Sequence, residues 1–169
     1  MNATSETNTR TKRGAEQQTF IVLGALLQFL STPEQINDEI SVMRGTIHPG
    51  VVIPLHSHAD PEIFYVINGS LEVFQSESWK TVGAGGVVSV PGNVRHALRN
   101  ISRSPTTVIT VSKRDLYKFF RELARPFDPN HPPAPPNPEE MQRLFSLAQK
   151  YECWLASRDE NAAIGISLA

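Results

Sequence analysis

Gly50-Val51-Val52-Ile53-Pro54-Leu55-His56-Ser57-His58-Ala59-Asp60-Pro61-Glu62 decides how this chain is read. An apolar run leads into two histidines one residue apart, with a glutamate four positions on. Alternate side chains of a strand share a face, so His56 and His58 point the same way. Glu62 keeps that parity if Asp60-Pro61 only bends the chain. His96, on another candidate strand, adds a third imidazole to the two imidazoles and the carboxylate. Such a mixed nitrogen and oxygen set suits one divalent transition metal: Fe, Mn, Ni, Co, Cu or Zn. It lacks the thiolates of a structural zinc site, because the lone Cys153 falls in a predicted terminal helix. The metal is therefore expected to be open to a ligand.

Outward from this stretch, residues 20–112 read as short β-rich runs between turn residues, the pattern of a sandwich or barrel. The predicted strands are 20–23, 26–31, 39–47, 51–58, 62–67, 70–75, 79–82, 87–90, 96–100 and 106–111. Asn68-Gly69-Ser70 reads as a tight hairpin turn, so the strands on either side are expected to pair. Gly83, Gly85 and Gly86, then Pro91-Gly92-Asn93, mark turns around a short Val-rich strand and place His96 just after the second turn.

Beyond Ser112, Leu116, Phe119, Phe120 and Leu123 recur at helical spacing on a segment starting near Asp115. Residues 125–138 hold seven prolines and read as an extended, semi-rigid strap. Asn137-Pro138-Glu139-Glu140 is a helix start, predicting a second helix to about Ala156. Its apolar face, including Met141, Leu144, Phe145, Tyr151 and Leu155, must fold back over the barrel or meet a second subunit. The organisation is thus a disordered leader over 1–19, a β-barrel over 20–112, and a helical extension with its strap over 113–169.

Composition narrows the function. The 169 residues suit one domain, and a net charge of −1 points to no partner class. The basic residues cluster only at Arg10, Lys12 and Arg13 in the polar leader, which argues against nucleic acid. One cysteine allows no intrachain disulfide, and the leader lacks the apolar core of a secretory signal. The longest apolar run, 20–30, is broken by Gly24 and Gln28 and is too short to span a membrane. A soluble protein in a reducing cytoplasm is the expectation.

At these spacings the chain resembles a known family. Gly50, His56, His58, Glu62 and Gly69 match the first cupin motif, G-x5-H-x-H-x3-E-x6-G, at every defining position. Gly85, Pro91, His96 and Asn100 are similar to the second motif, with Asn93 where the family usually has glycine. Asn tolerates the left-handed conformation better than most residues, so the turn can survive. The resemblance implies an all-β cupin jelly-roll β-barrel, here with a C-terminal helical extension, and one motif pair implies a monocupin, many of which are homodimers. It also implies that His56, His58, Glu62 and His96 bind the metal, in agreement with the parity argument.

Any one of these histidines alone would more simply be a surface or hydrogen-bonded residue; the constellation is what points to a metal. His48 precedes Pro49-Gly50 in a turn and reads as solvent-exposed, with a ligand-orienting role as the alternative. His131 reads as structural and Cys153 as a packing residue. Inward parity from Glu62 and His96 places Phe64, Val66, Leu98 and Asn100 on the substrate pocket. Such a wall suits an aromatic or enolic ligand.

Three functions remain open from sequence. The leading one is a quercetinase-like, metal-dependent dioxygenase acting on a small phenolic or enolic substrate, with Glu62 also taking a substrate proton. The others are a non-catalytic small-molecule binding or sensing module and a metal-assisted isomerase.

Overall fold

Ten strands precede the first α-helix in this computed structural model, which describes residues 18–131 and 136–168. They are β1 Thr19–Val22, β2 Ala25–Ser31, β3 Ile40–Ile47, β4 Val52–Ser57, β5 Glu62–Asn68, β6 Ser70–Gln75, β7 Ser78–Gly83, β8 Val87–Val90, β9 His96–Arg99 and β10 Thr106–Lys113. Then come α1 Arg114–Leu123, β11 Arg125–Pro126, α2 Pro138–Lys150, β12 Trp154–Leu155 and α3 Arg158–Ala163.

The strands form two antiparallel sheets, ordered β11-β1-β2-β3-β10-β5-β8 and β12-β4-β9-β6-β7. Alternation explains why they pack face to face. On β5, Glu62, Phe64 and Val66 are buried while Ile63, Tyr65 and Ile67 are exposed. The inward residues of both sheets meet in one core that includes Val66, Leu71, Val90, Leu98 and Val108. The result is the expected jelly-roll barrel, interrupted by one short 3-10 turn at Pro33–Gln35, with the described α-helices in the C-terminal part.

One turn departs from the sequence reading. The strands flanking Asn68-Gly69-Ser70 do not pair, because β5 belongs to the larger sheet and β6 to the smaller. Gly69, at φ 76°, makes a corner between sheets instead of a hairpin. The start of β10 pins this corner: Thr106 Oγ1 donates to Ser70 O at 2.6 Å, and Thr107 N donates to Asn68 Oδ1 at 3.1 Å. A side chain at Gly69 would collide with Thr106 and with the Pro105 carbonyl.

The second helix also ends earlier than predicted, at Lys150 rather than Ala156. Glu152 adopts a left-handed φ of 52°, and Cys153 N donates back to Ala148 O, the bond of a Schellman stop. Cys153 therefore lies in the turn after the helix, and Trp154–Leu155 become a strand paired with Ser57 and His56. The start of α2 is as predicted: Asn137 Oδ1 accepts from Glu140 N and Glu140 Oε2 accepts from Asn137 N.

The helices fold back over their own barrel. Leu116, Phe119 and Leu123 of α1 and Leu144 and Leu147 of α2 pack with Val22, Leu27 and Met43 of β1–β3. The final segment covers the outside of the smaller sheet, where Ile166 packs on Leu55, Phe74 and Ala97. Of the expected strap, Arg125–Pro126 pair with β1, and residues 132–135 lie outside the described residues. The predicted leader lies outside them up to residue 17, and Thr19 already belongs to β1.

Candidate metal centre

A bulge aims the first ligand. β4 pairs Ile53 with Leu98 and then His56 with His96, so β4 carries one more residue than β9 across the Pro54-Leu55 step. Ile53 and His56 both face the interior, although three residues apart in an unbroken strand would put them on opposite faces. Beyond β4, the turn at Asp60-Pro61 returns the chain so that Glu62 opens β5 on the opposite sheet.

The second motif is fastened onto the first by its backbone. Asn93 N donates to His58 O at 2.7 Å, and Asn93 takes the left-handed φ of 63° anticipated for it. A Cβ on Gly92 would lie 2.1 Å from Ala59 O, so only glycine allows this approach.

These supports bring His56, His58, Glu62 and His96 together, with one ligand atom from each lying within 4.8 Å of the others. His58 Nε2 and His96 Nε2 sit 3.1 and 3.2 Å from Glu62 Oε2. The ring centroids of His56 and His96 are 4.2 Å apart. Each imidazole also places Nδ1 against a backbone carbonyl: Pro54 O at 2.8 Å for His56, Asp60 O at 2.7 Å for His58 and Val94 O at 2.9 Å for His96. A carbonyl can only accept, so Nδ1 carries the proton and the Nε2 lone pairs turn inward.

That arrangement fits a metal. An Nε2 lone pair and a carboxylate oxygen 3.1 Å apart repel unless a cation stands between them, either a proton or a metal ion. His96, Glu62 and His58 are 0%, 3% and 5% exposed, and a carboxylate this deep costs several kcal/mol unless compensated. Burial alone would raise the Glu62 pKa, but hydrogen bonds from His58 and His96 prevail and hold it at about 2. Burial also opposes a charge on His58, yet the Glu62 contact keeps its pKa above the usual histidine range. His56 is pushed down to about 3, first by burial and then by the neighbouring His96.

A cavity of about 510 Å3 opens from this cluster, a volume typical of small-molecule sites. Phe64 and Leu98 line it, as parity suggested. Val66 and Asn100 do not. Val66 is fully buried in the core below, and Asn100 is spent on the backbone, donating to Ile47 O and Ser104 O and accepting from Ser102 N. His48 is only half-buried, but its Nε2 is shielded from solvent and lacks a hydrogen-bond partner among the described residues, contrary to the exposed reading. His131 is exposed and bonded to Asp128 at 2.7 Å.

Sequence reasoning missed the outer wall. Leu116, Phe119, Met141, Leu144 and Cys153, all from the helical extension, face the same cavity as the ligands. The available signal was the unpartnered apolar face of the predicted helices. Burial, with the charges of Asp60 and Glu62, pushes the Cys153 thiol up to about 11, so in the metal-free site it is a neutral wall residue. A smaller cavity of about 280 Å3, bordered by Asp60, Asp115, Lys150 and Glu152, meets the other side of His58 and Cys153.

Comparison with known proteins places this geometry. Residues 43–112 match the cupin domain family. No curated protein matches the chain. Among solved structures, a predicted oxalate decarboxylase from Thermotoga maritima aligns with a TM-score of 0.56 at 19% identity, over 60% of this chain and 96% of its own. An RmlC-like cupin from Shewanella frigidimarina aligns with a TM-score of 0.52 at 21% identity, over 60% of this chain and 87% of its own. At such identities the likeness concerns the fold. Among the described residues, no helix is long and apolar enough to cross a membrane. The family match encloses all four converging residues, and the chain shares the cupin jelly-roll fold with both of these structures.

Proposed function

We propose that this protein is a metal-dependent dioxygenase acting on a small phenolic or enolic substrate. The observation that carries the reading is the pairing of a three-histidine, one-glutamate cluster with a largely apolar cavity of about 510 Å3. A bound divalent metal would supply Lewis acidity toward an enol or phenol oxygen and, if redox-active, electrons for O2 chemistry.

The chain's own residues do the rest. His56, His58 and His96 present Nε2 lone pairs in an orientation fixed by their Nδ1 contacts. Glu62 is the carboxylate of the cluster; it would balance part of a bound ion's charge, and its oxygen would take the proton released by an enol. Phe64, Leu98 and the helical wall exclude water from the reacting face.

The test is elemental analysis of fresh protein beside a His56→Ala/His58→Ala double variant, followed by oxygen uptake with flavonol, catechol and 1,3-diketone substrates. Stoichiometric metal lost in the variant, with metal-dependent oxygen consumption, supports the proposal. Bound metal with no oxygen uptake on any of these sinks the dioxygenase. A second reading, binding without turnover, is favoured by the enclosure of the cavity by α1 and α2. In that case a ligand raises Tm and is recovered unchanged. Substrate turnover under nitrogen would instead identify an isomerase.

A further inference from the structure

The cavity does not end with the barrel. It continues from the metal cluster, past Leu98 and Phe64, to a wall built by the helical extension, which lies beyond the matched cupin domain at 43–112. Leu116, Phe119 and Leu123 of α1 and Met141, Leu144 and Phe145 of α2 all line this outer part. Its polar groups are unevenly placed. His56, His58 and Glu62 occupy one end, Ser157 and Arg158 lie at the foot of α3, and the helical wall between is hydrocarbon and aromatic carbon.

Phe145 is 57% exposed while also lining the cavity, so the apolar end meets solvent beside it. The two helices are held at fixed spacing from their outer side: Glu122 of α1 accepts from Lys150 Nζ at 2.7 Å and from Tyr151 Oη at 2.5 Å. This outer chamber is therefore a built part of the site, and the part of its wall supplied by α1 and α2 carries no charge.

We propose that the cavity takes an amphipathic ligand: a compact head that would offer oxygen donors to a metal held by the four-residue cluster, and an uncharged alkyl or aryl-alkyl body lying against α1 and α2. The polarity of the walls dictates this division. A charged or hydroxyl-rich body such as a sugar phosphate would lose its hydration against Leu116, Leu123 and Leu144 with no hydrogen bond in return. A small chelator alone would leave most of the chamber unfilled. Met141 and Phe145 then set the length of body accepted, since both line the chamber and Phe145 stands where its apolar wall meets solvent.

This inference rests on the metal-binding reading of the four-residue cluster, but not on oxygen chemistry. Its test uses metal-loaded full-length protein and a series of alkylhydroxamic acids, from acetohydroxamic to decanohydroxamic acid, in isothermal titration. The head is constant across the series, so only the body varies. Affinity is expected to rise about fourfold per added methylene while the chain still enters the apolar chamber, and then to level off. Met141→Trp, which fills the chamber, moves the plateau to shorter chains without changing metal content or acetohydroxamate affinity. Phe145→Ser, at an exposed position that tolerates replacement, weakens decanohydroxamate several-fold and leaves acetohydroxamate unchanged.

Equal affinity along the series with stoichiometric metal overturns the apolar body and leaves the metal centre standing. A chain-length dependence that neither substitution alters places the body elsewhere and also overturns the proposal. Protein that holds no metal and binds no acetohydroxamate overturns both this inference and the reading it rests on.

Discussion

His56 and His96 stand directly opposite each other in register on β4 and β9, with their rings 4.2 Å apart, although a bulge separates them from the next matched pair, Ile53 and Leu98. The pair shows how the centre is held: neighbouring strands of one sheet supply two ligands, and Glu62 reaches in from the other. Removing His96 should therefore do two things. His96→Ala lowers metal stoichiometry in elemental analysis. In metal-free protein it deprives buried Glu62 of one of two hydrogen-bond partners, costing about 1–3 kcal/mol in denaturant unfolding.

Acid should destabilise the metal-free protein in two stages. His56 has a folded pKa near 3, below its unfolded value, so between pH 6.5 and 3 the unfolded state binds the extra proton and stability falls as pH falls. Glu62, at about 2 when folded, contributes stability that is present above its unfolded value of 4.5 and is lost as pH drops toward 2. His58 works oppositely, since its raised pKa gives stability that is full below pH 6.5 and lost at higher pH. From pH 6.5 to 4.5, His56 alone among the three imposes a downward slope, at most about 1.4 kcal/mol per pH unit and less because the residue keeps partial exposure. In His56→Phe that slope should shrink, as measured by urea unfolding across this range.

The turn of the second motif supplies a paired prediction. Asn93→Gly should leave stability unchanged or raise it, because the position is left-handed, whereas Asn93→Val should cost about 1–2 kcal/mol. Gly92→Ala is more severe, since the new methyl would overlap Ala59 O and push the turn off His58. A loss of metal affinity well beyond tenfold in competition with a chelating dye is the expected result.

Asn161 links the tail to the centre. Its fully buried side chain accepts from Leu55 N at 2.9 Å and donates to Ala156 O and Ser157 O. Asn161→Leu leaves the Leu55 amide, next to His56, without its partner. The expected cost is about 1–3 kcal/mol for each orphaned buried group, with a drop in metal affinity despite the ligands being intact. Metal affinity equal to that of the parent protein would show that the tail does not support His56.

Much of this was legible in the sequence because it depends on local periodicity. Strand parity on β5 put Glu62 and Phe64 on the inner face where they lie, and the histidine and glutamate spacings picked out the four residues that the fold brings together. Parity failed where the chain turns from site to scaffold. It counts Val66 and Asn100 as inward, but cannot say that the packed core takes up Val66 or that three backbone groups claim the Asn100 amide. The corner at Gly69 was misread for a related reason: a tight turn fixes chain direction locally, while Thr106, distant in sequence, decides which sheet the next strand joins. The early stop of α2 lies in Glu152, whose left-handed φ gives no warning in its residue type.

The strand bearing His56 finishes pairing only with β12, and its Leu55 amide is claimed by a side chain 106 residues downstream. On the ribosome, therefore, the two cupin motifs are complete and can collapse together long before their last edge is closed. Until Asn161 emerges, the strand carrying the first ligand has an open border and the apolar chamber lacks its outer wall. A growing chain thus passes through a stage with its ligands present but its pocket unsealed, and the tail is what converts an exposed cluster of imidazoles into an enclosed chamber.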